Sequence, residues 1–256
     1  MEENQEDYNL RIALKTRPNE TYPQQDVFQI IYRKPPAIEE VGENELLVKV
    51  KYVSIIASMR VWMSGQKSYI DPVNPGDTMP AGCIGEVLYS RSSKYKVGDL
   101  VLGFMRWEKY IIIKDQKLFK IPKEYPHPSH FLGALGNQGL TAYFGLHDIG
   151  KIKQGETVVI SAAAGAVGQI AVQLAKLQGC RVIGIAGGQE KCDFVKNVLG
   201  ADEQLTKLAL QGKLKCIEDI LYGLDSAPRG LRRLILGENL GQVVIYCDKE
   251  NNNSKL

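Results

Sequence analysis

Residues 157–178 read TVVISAAAGAVGQIAVQLAKLQ, and this run constrains the fold more than any other part of the chain. Thr157–Ser161 is apolar and β-branched, the composition of a parallel strand buried on both faces. The small residues Ala162–Gly168 then suit a tight turn, and Gln169–Gln178 has helical spacing. A second apolar run, Arg181–Gly187, and a second helical pattern, Glu190–Gly200, follow. Strand, turn, helix, strand, helix is the opening of a doubly wound α/β domain. The window Thr157–Ala175 is also the most apolar of the chain. Ser161, two glycines, Gln169 and Gln173 interrupt it, so no membrane span is expected.

The turn aligns as Ala163-x-Gly165-x-x-Gly168, a G-x-G-x-x-G pattern with alanine at its first position. Gly165 lets the backbone approach a pyrophosphate, and Gly168 lets the helix pack closely on the strand. The helix N-terminus at Ala166–Gln169 offers free N–H groups and a positive dipole end. Small residues also occur in tight β–α packing with no ligand. Placement between a buried strand and a helix is what favours a dinucleotide. NAD sites usually end the second strand in Asp or Glu. Here it ends Ala186-Gly187-Gly188-Gln189, with Lys191 just beyond. An open glycine pair beside a lysine suits a 2′-phosphate, so NADP(H) is the expected cofactor. Glu190 argues the other way, and Lys191 also reads as a solvated helix-start lysine.

The first 130 residues differ in character. Runs at 43–55, 81–90, 99–105 and 108–114 are rich in Val, Ile and Tyr and bounded by Gly, Pro and Asp. Lys96–Asp99 reads as a turn between strands. This part is expected to be a β-rich barrel or sandwich, and Phe131–Leu146 a helix. Of 256 residues, 44% are hydrophobic and 24% charged, which excludes a disordered or low-complexity chain. A net charge of +3, with no densely basic stretch, argues against a nucleic-acid partner. The five cysteines are dispersed, as in a reducing compartment or a lumen without structural disulfides. Cys83 and Cys180 read as core thiols. His127-x-x-His130 and the isolated His147 read as polar loop or cap residues, so no metal site is expected. The start, MEENQEDYNLR, is neither a secretory signal nor a basic transit peptide. The C-terminal Ser254-Lys255-Leu256 reads as a peroxisomal address; a chance ending would leave a cytoplasmic chain.

Residues 135–192, LGNQGLTAYFGLHDIGKIKQGETVVISAAAGAVGQIAVQLAKLQGCRVIGIAGGQEKC, closely resemble the zinc-independent medium-chain reductases. The nearest branch is the prostaglandin reductase and NADP-dependent 2-alkenal (leukotriene B4 dehydrogenase-like) group. The resemblance extends back through SMRVWMSGQKSY (58–69), AGCIGEVLYS and YKVGDLVLGFMRWEKY, and resumes over 211–245. It implies a GroES-like β-barrel domain plus a Rossmann-type doubly wound domain. The implied reaction is hydride transfer from NADPH to the β-carbon of an α,β-unsaturated ketone or aldehyde. By the same resemblance Ala164, Gly165, Ala166, Val167 and Gly168 face the pyrophosphate, and Gly188 and Lys191 the 2′-phosphate. Asn239, in the terminal G-x-N-x-G, contacts the cofactor, and Tyr69 faces the substrate as the catalytic candidate. Tyr69 also reads as a surface loop residue, and Asn239 as a turn or cap. The chain departs from the family at Ile56-Ala57-Ser58, Asn137-Gln138 and Gln242.

A complete six-stranded Rossmann domain needs roughly 120–150 residues. Only two strands and two helices fit between Thr157 and Asp202. Leu199-Gly200-Ala201-Asp202 reads as joined directly to the family's C-terminal segment, an internal deletion. The alternative is that residues 203–256 complete the sheet. The expected domains are a GroES-like unit at 1–130, completed by 207–256, and an incomplete Rossmann unit at 131–206. Two functions follow: an NADPH-dependent enone or enal reductase, or a catalytically inactive relative serving as a structural subunit or isoform. Two strands with one face open also imply a homodimer or an assembly partner over the incomplete sheet.

Overall fold

A computed structural model describes residues 8–18, 27–197 and 215–248. The junction at Asp202 and Ser254-Lys255-Leu256 lie outside the described residues. The chain divides into two compact units. One is Met1–Pro128 with Ile220–Leu236 and Val244–Leu256; the other is Ser129–Asp219 with Gly237–Val243.

The first unit is built on antiparallel strands. β1 (Asn9–Leu14) pairs with β2 (Phe28–Arg33). β3 (Glu45–Ile55) pairs with β4 (Pro80–Ser90), with register shifts at Leu47/Val48 and Val50/Tyr52 that bend the pair. β5 (Leu100–Arg106) continues from β4, β6 (Tyr110–Lys114) pairs with β3, and β7 (Leu118–Lys120) edges β5. A short helix, α1 (Met59–Met63), follows β3. Two strands from the C-terminal part, β10 (Glu218–Tyr222) and β11 (Gln242–Tyr246), complete a seven-stranded sheet in the order β10-β11-β3-β4-β5-β7. A 3-10 turn at Leu224–Ser226 lies between them, followed by the helix here called α5 (Ala227–Leu236). Ile12, Leu46, Trp62, Met79, Ile84 and Trp107 are fully buried beneath these elements. Burying a side chain of this size contributes about 1.5–3 kcal/mol.

Lys96–Asp99 does form a turn, with Gly98 at φ +81. The Asp99 amide donates to the Lys96 carbonyl at 3.1 Å, and the Lys96 amide donates to the Asp99 carboxylate at 2.9 Å. Asp99 is buried, yet the ammonium of Lys120 lies 2.7 Å away and that of Lys123 3.4 Å. Burial pushes its pKa up, and these donors outweigh burial, so it lies below the ordinary 3.8.

The second unit holds β8 (Thr157–Ile160) and β9 (Arg181–Gly184), paired in parallel as a two-stranded sheet. They are joined by α3 (Gly168–Leu177) and followed by α4 (Gln189–Asn197). The segment expected as one helix over Phe131–Leu146 is divided. It comprises a 3-10 turn at Pro128–Leu132, α2 (Asn137–Phe144) and a π-helical turn at Gly145–Ile149. Glycines explain part of the break: a Cβ at Gly136 would lie 2.1 Å from the Phe131 carbonyl, and one at Gly139 1.8 Å from that of Ala134. The core gathers Ile160, Ala163, Ile170, Val172, Leu174 and Cys180 on one side of the sheet. Cys83 and Cys180 are both buried.

Burial on both faces is not found. Val159 is 60% exposed, and Ile183 and Ile185 are 43% and 56% exposed. The composition was that of a fully covered strand, but among the described residues no layer covers this face. β11 belongs to the seven-stranded sheet and does not extend β8–β9. Among the described residues, the C-terminal strands β10 and β11 therefore do not rebuild the parallel sheet.

Two outcomes are expected. Ile160→Ala should cost about 2–5 kcal/mol in urea unfolding, whereas Val159→Ser on the open face should cost under about 1 kcal/mol. Asp99 stabilises the fold while ionised, and that contribution is lost as pH falls below 3.8. Asp99→Ala should lower stability at neutral pH by about 1–3 kcal/mol and shrink the acid-side loss in a pH series of melting curves.

Candidate functional site

The turn between β8 and α3 bends at Ala162, whose φ of +47 lies in the left-handed region. A non-glycine residue there is strained and is held by its surroundings. The Ala163 amide donates to the Ile185 carbonyl at 3.0 Å and that of Gly165 to the Ala162 carbonyl at 2.8 Å. A Cβ at Gly168 would lie 2.1 Å from the Ala162 carbonyl oxygen, so only glycine lets the helix start this close to the strand. α3 carries no side-chain cap at its N-terminus. Among the described residues, no protein carbonyl accepts the Ala166 or Val167 amide. Val167 is exposed and Ala166 half-buried. Open amides at an uncapped helix start form an anion-binding cradle, and this turn fits a pyrophosphate.

Two further candidates of this unit, Lys191 and Asn239, meet at the loop Gly237–Gly241. The Gly241 amide donates to the Ala164 carbonyl at 3.2 Å, and Gly165 forms a parallel bridge with Gly241. Asn239 is buried, and its side-chain amide donates to the Gly241 carbonyl at 2.9 Å. That local side-chain-to-backbone bond shapes the loop. The Lys191 ammonium donates to the Gly237 carbonyl. Gly188 has φ +85, and neither it nor Gly187 has anything within 4 Å of where a Cβ would stand. The space over Gly187 and Gly188 is therefore open.

Tyr69 lies in the first unit, 75% exposed, with its ring edge-on to the buried Trp62 at 5.9 Å. Of the positions that depart from the family pattern, Gln138 is buried on α2 with its Oε1 accepting no hydrogen bond. Gln242 is buried with its side-chain amide donating to the Val243 carbonyl at 2.9 Å.

Three polar residues matter more here than their sequence context suggested. Gln169 and Gln173, which read only as interruptions of an apolar window, are buried on α3 and bond the backbone of residues 215–217. Their spacing of four on a helix face otherwise buried is the signal that could have marked them. Glu218 accepts a hydrogen bond from the Ser129 hydroxyl at 2.9 Å. Burial raises its pKa above 4.5, and the Ser129 bond only partly offsets this. The same burial pushes the Cys216 thiol up to about 12, with Glu218 adding to the effect, so Cys216 remains a thiol. The His147 ring lies tilted against that of Tyr143, with centroids 4.7 Å apart. Among the described residues, no three His, Cys, Asp or Glu side chains are grouped to hold a metal ion.

The family model described as the N-terminal domain of oxidoreductase matches residues 11–121, and the one described as zinc-binding dehydrogenase matches 166–219. The chain belongs to the zinc-independent medium-chain dehydrogenase/reductase family. It is 40% identical over 198 residues to the NADPH-dependent curcumin reductase of Escherichia coli, covering 77% of this chain and 56% of that protein. It is 43% identical over 164 residues to the NADP(+)-dependent 2-alkenal reductase of Nicotiana tabacum, covering 63% and 48%. The crystal structure of CurA in complex with NADPH from Vibrio vulnificus superposes with a TM-score of 0.85 at 26% identity, covering 94% of this chain and all of that one. The chain spans about half the length of the curated relatives it matches. The fold is α/β, the family's GroES-like unit joined to a shortened Rossmann-type unit.

A raised carboxyl pKa means that the fold favours protonated Glu218. Its contribution is present below pH 4.5 and is lost as pH rises through the folded value. Glu218→Gln stays neutral throughout, so its Tm at neutral pH should equal or exceed that of the parent. The parent's decline above pH 4.5 should also flatten; superimposable pH profiles would refute the assignment.

Proposed function

We propose that this chain is an NADPH-dependent reductase of the carbon–carbon double bond in α,β-unsaturated ketones and aldehydes. The observation that carries this reading is the uncapped start of α3, with open amides at Ala166 and Val167 beside a docked Gly237–Gly241 loop. These amides bind the pyrophosphate of NADP(H), supported by the positive end of the helix. Gly188 leaves room for the 2′-phosphate, and Lys191 supplies its positive charge, exchanging the Gly237 carbonyl for a phosphate oxygen. Bound NADPH supplies the hydride for the substrate's β-carbon. Tyr69 is the candidate donor to the carbonyl oxygen, where negative charge develops. The names of the curcumin and 2-alkenal reductases support this substrate class.

A second reading, a non-catalytic relative that serves as a structural subunit, is favoured by the open face at Val159, Ile183 and Ile185. NADPH consumption by the pure, folded chain, tested on a panel of enones and 2-alkenals, separates the two. Turnover of any panel member supports the reductase; none supports the subunit. In an active chain, Lys191→Ala should raise KM for NADPH by roughly 10- to 100-fold while leaving that for NADH within about twofold.

A further inference from the structure

Gln169 is 3% exposed in the first turn of α3, and both ends of its side-chain amide bond one residue. Its Nε2 donates to the Ile217 carbonyl at 3.2 Å, and its Oε1 accepts the Ile217 amide at 3.4 Å. A primary amide used this way imitates a neighbouring β-strand. Ile217 is itself tied to the loop. Its carbonyl accepts the Gln242 amide at 3.0 Å, and a Cβ at Gly241 would stand 2.1 Å from that carbonyl oxygen and 3.1 Å from Gln169 Nε2. Gly241, at φ +75, therefore fits between them only as glycine. From Gly241 the path returns to the turn through the Ala164 carbonyl, and from Gly165 to Gln169, whose own amide donates to the Gly165 carbonyl at 2.9 Å. The circuit is closed: Gln169, Ile217, Gly241, Ala164–Gly165, Gln169.

Gln173 provides an internal comparison. One turn further along α3 it makes the same two-ended pairing with Lys215, at 3.4 Å and 3.2 Å. It is as deeply buried as Gln169. It differs in that, among the described residues, it bonds neither Gly241 nor the turn; its further bond goes to the Gln169 carbonyl within the helix.

We propose that Gln169 is a positioning residue for the dinucleotide turn: by clamping Ile217 it docks Gly241 against Ala164–Gly165 and so sets the direction of the Ala166 and Val167 amides. Gln169 does not itself touch the cofactor, and the proposal rests on the dinucleotide reading above. Losing the clamp leaves the apolar packing of α3 in place and frees the Gly237–Gly241 loop, so affinity falls more than stability.

The test compares Gln169→Met with Gln173→Met in the full chain, using NADPH fluorescence titration and hydrogen exchange of the 237–243 peptide. The expected result is a rise of tenfold or more in the Kd for NADPH and faster exchange of 237–243 in Gln169→Met. Gln173→Met should keep the parent Kd within about twofold and the parent exchange rate, even if its Tm falls equally. Equal changes in both variants, or an unchanged Kd in Gln169→Met, would overturn the proposal by making both glutamines merely structural. If Gln169→Met does not fold, Gln169→Asn keeps the amide but is too short to reach both groups, and is read the same way. If the parent itself binds no NADPH, the dinucleotide reading fails. The exchange arm then decides the clamp: selective acceleration in the Gln169 variant upholds it, and matching rates reject it.

Discussion

The second unit depends on how closely the Gly241 backbone approaches its neighbours. A side chain there would collide with the Ile217 carbonyl. Its absence lets a loop from the end of the chain donate to Ala164 and bridge Gly165. The turn that β8 and α3 begin is thus finished by residues more than seventy positions later. Two buried glutamines hold the intervening segment 215–217 by side-chain amides, where a complete sheet would use a neighbouring strand.

The open face of β8–β9 follows from the same arrangement. β10 and β11, which could have extended the parallel pair, are ordered into the seven-stranded sheet, β11 beside β3. Val159, Ile183 and Ile185 are left facing solvent, an unusual position for β-branched residues of a parallel strand. A chain whose match spans about half the length of its curated relatives keeps the β8–α3 turn and the loop Gly237–Gly241. What it lacks in described structure is the sheet that ordinarily lies beneath them.

Much of the local structure was legible. β8, α3 and β9 follow directly from β-branched runs and helical spacing, and the Lys96–Asp99 turn from its glycine. Gly168 was marked by its place in the glycine pattern, and the structure supplies the reason, a contact of 2.1 Å with the Ala162 carbonyl. The break of 131–149 into three short helical pieces was not legible, because carbonyl crowding at Gly136 and Gly139 depends on how the chain folds back. Nor was the pairing of Asn239 with Gly241, since G-x-N-x-G suits a cap, a turn or a ligand contact equally well.

Residue order alone determined the strand–turn–helix–strand unit and the cradle at its turn. Both rest on interactions within a few residues: side-chain branching, small-residue turns and unsatisfied helix-start amides. Tertiary structure decided which face of the parallel pair is covered, which sheet β11 joins, and that Gln169 serves the turn. These depend on contacts between segments far apart in the chain, where the same polar or apolar residue suits several partners and only packing selects one.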